Sequence, residues 1–347
     1  MEPDKKAARE RSVTFDVMNI LSCIGVIALH HNGLVHTFHE GPGWVQALVI
    51  ECLFYFSVPV FMMISGANLM GYRERYGTKT FLKKRFVRTV IPWLFWSVVF
   101  LFWNIRLGEI KSEGLTAGSA IDMILNSKVM SVYWFFPALF MCYLAIPVLS
   151  AVRKSRKLLW YVTGVLFLYY AVKPLAATFL DIKWNIDAPL GAGLLIFVVL
   201  GYLLTTKPPE KRARIMLCAA GAACVIFRFV YTLILSEKAG VTDTSIKGYS
   251  QFHSVFYACA VFVLLSRVPW DRILPEWLKK RLKDISACSL GIYLIHRMVM
   301  RYEGALLGLG NGDFLWRSLC VALTYAVCLG IVAAIRKIPG GKYIVGG

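Results

Sequence analysis

Residues 15–32 read FDVMNILSCIGVIALHHN, and this stretch decides the fold class of the chain. It is an apolar run with an acid, Asp16, at one end and two histidines, His30 and His31, at the other. In a helix, the step from Asp16 to His30 covers about 21 Å and ends roughly 40° short of the same angular position. Asn19 lies on the same face. The pattern predicts a membrane helix with one polar side, and ionisable groups inside a bilayer are candidates for function.

Composition gives the class of protein before any motif is used. Hydrophobic residues make up 58% of the sequence, and the mean hydropathy is +0.60. Apolar runs of about 20 residues recur, which is the length of a helix that crosses a bilayer. These values exclude a soluble domain and predict an all-α polytopic membrane protein. The net charge of +19 would favour nucleic acid in a soluble chain, but in a membrane protein charge is read loop by loop, and we expect no nucleic-acid partner.

The cysteines do not form a recognisable site. All nine lie within apolar runs, and no CxxC pair occurs. Cysteine is a common small residue of buried cores, so the sequence predicts neither a disulfide nor a metal site.

We predict about ten transmembrane helices in one integral-membrane domain that covers residues 1–347. Residues 1–13 form a basic tail with no cleavage site after the first apolar run, so we expect the tail to stay on the protein. The connection 106–130 is expected to carry a short amphipathic helix over the outer mouth. The predicted spans are 14–36, 44–71, 85–105, 131–151, 157–176, 188–206, 214–236, 252–266, 285–304 and 314–335.

Lysine and arginine indicate the orientation, because cytoplasmic loops carry an excess of them. Both termini are therefore predicted to be cytoplasmic, with His30 and His31 toward the outer face of a bacterial cytoplasmic membrane. In the ten-span arrangement, 28 of the 39 lysines and arginines lie on one side, in segments 1–13, 73–88, 153–157, 207–214, 267–283 and 336–342.

Four further motifs follow the first span. An apolar helix ends in ISG (64–66), a basic run precedes Pro92, YWFF (133–136) opens a span, and SLGIYLIH (289–296) lies near the C-terminus. In this order, the motifs resemble the acyltransferase-3 family of integral-membrane acyltransferases over most of the chain. The resemblance implies acyl-CoA as donor, with acetyl-CoA expected, and a hydroxyl of a cell-envelope glycan or glycolipid as acceptor. The family usually has Arg where this chain has Asn19, so this position brings no charge to a donor phosphate.

Acyl transfer from a thioester to a hydroxyl requires a base that removes the hydroxyl proton, and a neutral imidazole suits this task near pH 7. We predict that His30 is this base. Glu51 begins the second span at a similar depth, and we predict that it fixes the tautomer of the His30 ring. The alternative for Glu51 is a carboxylate at the water boundary. Asp16 completes the predicted catalytic set at the inner end of the same polar face.

The donor phosphates need cationic partners at the inner mouth. Arg85 and Arg88 are three residues apart and hence neighbours on one helical face, where guanidinium groups can bind phosphate oxygens in pairs. General positive-inside charge is the alternative for this run. Next to Ser65, a glycine allows a ligand or another helix to come close. The predicted donor-binding residues are Arg85, Arg88, Lys84, Asn19 and Ser65.

Four residues are predicted to contact the acceptor, each with a simpler alternative. His31 points about 100° away from His30 on the helix, so it binds the acceptor or only sits at the interface. Arg228 lies within an apolar span and needs a partner or a wet cavity. Trp134 can stack on a sugar or belong to the interfacial aromatic belt. His296 makes a functional or structural hydrogen bond, or only packs.

The sequence therefore predicts a membrane O-acyltransferase that delivers an acyl group from cytoplasmic acyl-CoA to an envelope glycan or glycolipid, without a metal. A transporter or flippase is the alternative, in which the polar stripe lines a pathway. A ligand-sensing membrane protein is a second alternative. The bilayer is an expected partner, and an oligomer remains possible.

Overall fold

The computed structural model of the protein describes residues 12–182 and 193–346, which form helices joined by short connections, without a β-strand. Most of the predicted tail and the first residues of the predicted span 188–206 lie outside the described residues. The α-helices are α1 (Val13–His31), α2 (Pro42–Phe54), α3 (Ser57–Leu69), α4 (Thr78–Arg85), α5 (Ile91–Arg106), α6 (Ala117–Leu125), α7 (Phe135–Ala151), α8 (Arg156–Phe167), α9 (Lys173–Leu180), α10 (Leu195–Thr206), α11 (Lys211–Ala239), α12 (Phe252–Arg267), α13 (Trp270–Ile273), α14 (Glu276–Ser286), α15 (Ser289–Leu307), α16 (Phe314–Arg317), α17 (Leu319–Lys337) and α18 (Gly341–Val345).

Helix α1 lies at the centre of the bundle. It contacts α2, α3, α12, α14, α15 and α17, which surround it. Its sequence is apolar on nearly all sides, as expected for a helix enclosed by others. Its polar face is directed at α14 and α15, where Asn19, Cys23 and His30 form hydrogen bonds. The polar side predicted from the sequence therefore lies inside the bundle.

Seven helical stretches in the described residues are long and apolar enough to cross a membrane. Two further apolar helices, α10 and α12, are shorter, and α15 has the length of a span but carries Arg297, Arg301 and Glu303. The prediction of an all-α polytopic membrane protein is confirmed, whereas the count of about ten spans and the cytoplasmic termini stay predictions. The seven stretches are Val13–His31, Pro42–Glu74, Thr78–Arg106, Ser131–Ala151, Arg156–Leu180, Lys211–Ala239 and Leu319–Lys337.

Prolines interrupt two of the long stretches that carry predicted site residues. Pro59 has no N–H for the carbonyl of Tyr55, four residues earlier, and the chain breaks there into α2 and α3. Pro92 likewise denies a helical donor to the carbonyl of Arg88, which lies in a π-helical turn, Phe86–Val90, between α4 and α5. Such turns are frequent at functional sites. The turn here carries one of the predicted donor-binding arginines.

Two glycines join α3 and α10 at backbone distance. A Cβ atom on Gly66 would lie 1.9 Å from the carbonyl oxygen of Val198, and one on Gly201 would lie 2.1 Å from that of Met63. Only glycine allows two helices to pack this closely. The glycine after Ser65 therefore forms a packing joint between two helices, as its simpler interpretation predicted.

The outer connection 106–130 contains the expected short helix, α6. Thr116 caps it, since its Oγ1 accepts from the backbone N–H of Ser119, whose hydroxyl accepts in return from the backbone N–H of Thr116. This part of the prediction is confirmed.

Candidate active site

His30, at the end of α1, forms a pair with His296 in α15. Nδ1 of His30 lies 2.6 Å from Nε2 of His296, and Nδ1 of His296 lies 2.6 Å from the carbonyl oxygen of Tyr293. A carbonyl only accepts, so Nδ1 of His296 donates, and Nε2 of the neutral ring accepts from Nδ1 of His30. His30 therefore keeps a lone pair on Nε2. His296 thus makes the hydrogen bond that one of its interpretations predicted, but its ring is fully buried, and its predicted contact with the acceptor stays a prediction.

The YWFF motif holds α15 in position for this pair. The hydroxyl of Tyr133 donates to the carbonyl of Leu294 at 2.8 Å. In return, the hydroxyl of Tyr293 donates to the carbonyl of Val132. Both tyrosines are buried, so their hydroxyls need partners, and each finds one on the other segment. This reciprocal contact fixes the turn of α15 that presents His296 to α1.

The prediction that Glu51 fixes the His30 ring is wrong, because His296 occupies that place. Glu51 instead accepts from Nη2 of Arg228 at 3.4 Å, with Nζ of Lys247 at 4.0 Å. The guanidinium of Arg228 also lies 3.7 Å from the ring centroid of Tyr55. Glu51 and Arg228 are both buried, and a buried charge requires such a partner. The pair ties α2 to α11.

His31 does not line the cavity beside His30 in which the acceptor is expected, and this corrects its predicted role in acceptor binding. It has no exposed surface. Its Nε2 lies 2.9 Å from Oγ1 of Thr324, and the hydroxyl of Thr324 donates to Glu303. The hydroxyl has one proton, so Thr324 accepts from Nε2–H of His31. This buried chain anchors the end of α1 to α15 and α17 and so holds the adjacent His30.

A cavity of about 900 Å³ adjoins His30. We call it the outer cavity, and the cavity at the other end of α1 the inner cavity, after the predicted orientation. Arg297 also lines it and donates from Nη1 to the backbone carbonyl of His30 at 3.4 Å. Arg301 lines the cavity too and pairs with Glu109. The sequence analysis missed both arginines, although two cations four residues apart in a predicted span were a visible signal. The polar residues at this cavity are His30, His36, Asn104, Glu109, Lys128, Ser131, Arg297, Arg301 and Asn311.

The loop after α11 closes one side of the outer region. Nζ of Lys247 donates to Nδ1 of His36 at 2.9 Å. An ammonium group only donates, so Nδ1 of His36 accepts and carries no proton. The ring of Trp134 stacks on Tyr249 with 5.5 Å between centroids. Tyr249 therefore covers one face of Trp134, and the predicted stacking on a sugar stays a prediction.

An inner cavity of about 480 Å³ lies at the opposite end of α1. It brings the predicted Lys84, Arg85 and Arg88 together with Arg75, which the sequence analysis did not single out. Asp16 lines this cavity, about 21 Å from His30 along the helix. The predicted catalytic role of Asp16 stays a prediction. The polar residues of the cavity are Ser12, Asp16, Asn19, Asn68, Arg75, Tyr76, Lys84, Arg85, Arg88 and Ser286.

A slot of about 220 Å³ adjoins the inner cavity and extends toward the histidine pair, although neither histidine lines it. Asn19 and Ser286 line both spaces, and the slot continues to Tyr293, whose ring centroid lies 5.6 Å from that of His296. The amide of Asn19 donates to Ser286 and to Oγ of Ser289, so it shapes the wall. The predicted Ser65 lines the slot as well. Polar side chains thus line α1 from the inner mouth as far as Ser289, and the slot continues to Tyr293 beside His296.

The comparison with protein families agrees with this geometry. The sequence model of the acyltransferase-3 family, described as Acyltransferase domain, matches residues 13–333 of the 347-residue chain. No match was found among curated proteins or among solved structures. The matched range includes the histidine pair and all the predicted site residues. The chain therefore belongs to the acyltransferase-3 family, and acyltransferase activity in a membrane protein is what this membership implies.

Proposed function

We propose that the protein transfers an acyl group, with acetyl expected, from cytoplasmic acyl-CoA to a hydroxyl of a cell-envelope glycan or glycolipid. One observation carries the proposal: a basic inner cavity, a narrow slot and a histidine with a free lone pair follow one another along α1. A long, thin donor with phosphates at one end and a thioester at the other matches this sequence of spaces. The polar outer cavity is the expected site of the acceptor.

The inner cavity fits the phosphate end of the donor. Guanidinium groups bind phosphate oxygens through charge-assisted hydrogen bonds, and Arg75, Arg85 and Arg88 supply three such groups. In the described part of the chain, the buried Nε of Arg85 has no hydrogen-bond partner. A buried N–H without a partner is costly, and an anionic ligand would satisfy it. The pantetheine arm would then occupy the slot beside Ser65 and Ser289.

In the proposed reaction, Nε2 of His30 removes the proton of the acceptor hydroxyl as its oxygen attacks the thioester carbonyl. The carbonyl oxygen becomes an oxyanion, and Arg297, which lines the same cavity, is the nearest candidate to stabilise it. The C–S bond then breaks. The proton moves from His30 to the sulfur, so the products are the acyl ester and CoA with its thiol. His296 and the carbonyl of Tyr293 keep a proton on Nδ1 of His30, so Nε2 is the atom that takes up the proton and returns it.

The test is release of CoA thiol from acetyl-CoA by the purified protein in lipid nanodiscs, with and without extracted envelope glycans. We expect thiol release that depends on wild-type His30 and increases with the acceptor. A transporter or flippase with the same polar path would move its substrate and leave the thioester intact. Thiol release equal to that of a protein-free blank under all conditions would contradict the acyltransferase proposal and favour this alternative.

A further inference from the structure

A second basic cavity lies next to the inner cavity, and Arg88 lines both. Its volume is about 520 Å³, and it lies between the π-helical turn Phe86–Val90 and the segment after α17. Its lining, which belongs wholly to the described residues, contains four cations and no carboxylate. Like charges gathered without a counter-charge repel each other, so this site favours an anion. The residues that line it are Val87, Arg88, Arg336, Lys337, Ile338, Pro339, Gly340, Lys342 and Tyr343.

The C-terminal segment builds this cavity by folding back on the bundle. After α17 the chain turns at Gly340, which has φ +79°, and a Cβ on Gly341 would lie 1.8 Å from the carbonyl oxygen of Ile335. The indole N–H of Trp96 donates to the carbonyl of Ile344 at 2.8 Å. Nη1 of Arg336 donates to the carbonyl of Gly346 at the same distance. The cations therefore stand on a fixed turn.

The neighbouring surface is apolar and exposed, as expected for a surface in contact with lipid. Ile338 and Tyr343, which line the cavity, are 60% and 59% exposed. Phe86 and Phe95, on the turn and on α5, are 52% and 41% exposed, and Ile331 on α17 is 40% exposed. The cavity thus lies at the perimeter of the bundle, next to helices with exposed apolar side chains. Cations, a tyrosine and aliphatic side chains together are typical of the level of lipid headgroups.

We propose that this cavity binds the phosphate headgroup of an anionic phospholipid of the inner leaflet. Basic pockets between helices on the cytoplasmic side bind such headgroups in membrane proteins. Arg88 offers paired N–H groups to phosphate oxygens, while Lys337 and Lys342 add point charges. Arg336 adds its positive charge and remaining N–H groups, since its Nη1 already donates to the carbonyls of Ala287 and Gly346. Lipid binding here does not depend on the acyltransferase proposal. Since Arg88 lines both basic cavities, a phosphate of a donor molecule is the other source of the same chemistry.

The test measures binding of short-chain phosphatidylglycerol and phosphatidylcholine to the delipidated full-length protein by native mass spectrometry. We expect the wild type to prefer phosphatidylglycerol. Lys337→Ala with Lys342→Ala should weaken phosphatidylglycerol binding roughly thirtyfold, at about fivefold per cation. The pair Lys154→Ala with Lys211→Ala removes the same charge from exposed positions on the same predicted side, outside the cavity, and should change binding less than about twofold. Lys337→Arg with Lys342→Arg should keep the affinity.

Three outcomes would overturn the lipid site. In the first outcome, the wild type would show no preference for phosphatidylglycerol. In the second, both alanine pairs would lose affinity equally, which would mean that only net charge acts. In the third outcome, the Lys337 and Lys342 alanine pair leaves lipid binding unchanged but weakens binding of CoA and spares 3′-dephospho-CoA. That result would assign the cavity to the donor's 3′-phosphate. CoA binding is measured only to recognise this third outcome. Lipid binding is measured directly, so a failure of acyl transfer would not affect the conclusion on lipid.

Discussion

One backbone carbonyl decides which nitrogen of His30 is free to act as the proposed base. The carbonyl of Tyr293 can only accept, so His296 must donate to it and must accept from His30. An imidazole without such a partner would exchange between two tautomers and two ring orientations. At the scale of single residues, the chemistry therefore depends on a group that is not a side chain. Its effect reaches His30 only through the ring of His296.

We expect His296→Ala to reduce acyl transfer by about 10- to 100-fold, which is the usual cost of removing a group that orients a functional imidazole. The Michaelis constant for acyl-CoA should stay unchanged, because the phosphate contacts are distant. The decisive measurement is turnover in a double-mutant cycle. In a His30→Ala background the second substitution should have almost no further effect, since it acts through His30. Additive losses of turnover would show a role for His296 that is separate from His30. The neutral control is His39→Ala, since His39 is exposed.

The cations of the inner cavity have individual effects that can be measured. Arg75→Ala, Arg85→Ala and Arg88→Ala should each weaken acyl-CoA binding by about 1.5–3 kcal/mol, the range for a hydrogen bond to a charged group. Arg85→Lys should recover little of the loss, because an ammonium cannot make the paired contact. Isothermal titration with a non-hydrolysable acyl-CoA gives the affinities. Lys79→Ala, in the same basic segment but outside the cavity, is the matched control. If it lost as much affinity for acyl-CoA as the arginine variants, the segment would act only through net charge.

At the scale of helices, prolines and glycines set the shape around the site. Pro59 and Pro92 interrupt two spans because each removes a donor from the carbonyl four residues before it. The first break lies where Tyr55 meets Arg228, and the second lies beside Arg88. Gly66 and Gly201 bring α3 and α10 into backbone contact. Two of the irregular parts of the helices thus adjoin residues of the site.

We expect Gly66→Ala and Gly201→Ala to destabilise the protein by about 1–3 kcal/mol each, since the added methyl group would meet a backbone carbonyl that cannot move aside. Gly164→Ala and Gly330→Ala are matched controls, because these helical glycines have nothing within 4 Å of the added atom. They should be neutral or slightly stabilising, as alanine is the better helix former. Thermal unfolding in detergent compares the four variants. Similar unfolding temperatures for both pairs would argue against the tight joint.

The sequence was sufficient for the helices and for the composition of the inner cavity, but not for the partners of buried groups. Hydropathy marks each span locally, and the basic segment 73–88 is contiguous, so both are visible in one stretch of sequence. The contact between His30 and His296 joins positions 266 residues apart, and that between Glu51 and Arg228 joins positions 177 apart. Their similar depth in the membrane made Glu51 a plausible partner of His30. Only the packing of α15 against α1 shows that His296 is the partner instead.

At the scale of the whole molecule, the uneven distribution of lysine and arginine predicts that the inner cavity, the proposed donor site, faces the cytoplasm. Cysteine labelling with a membrane-impermeant reagent in a cysteine-depleted protein checks this sidedness. Cysteines at the exposed Arg75 and Arg281 should react only from the inside, and cysteines at the exposed His39 and Thr244 only from the outside. Reaction of position 75 from the outside would reverse the orientation and with it the direction of transfer.

The central claim is that an acyl group passes from a donor in the inner cavity to an acceptor activated by His30 at the outer face. The most direct measurement follows the acyl label of acetyl-CoA into envelope glycans, with the donor supplied to inverted or to right-side-out vesicles. Labelling should occur when the donor reaches the face of Arg85 and Arg88. His30→Ala should reduce it at least about 100-fold while acyl-CoA binding is retained. Labelling by His30→Ala at the wild-type rate, or labelling only when the donor is on the His30 side, would contradict the account.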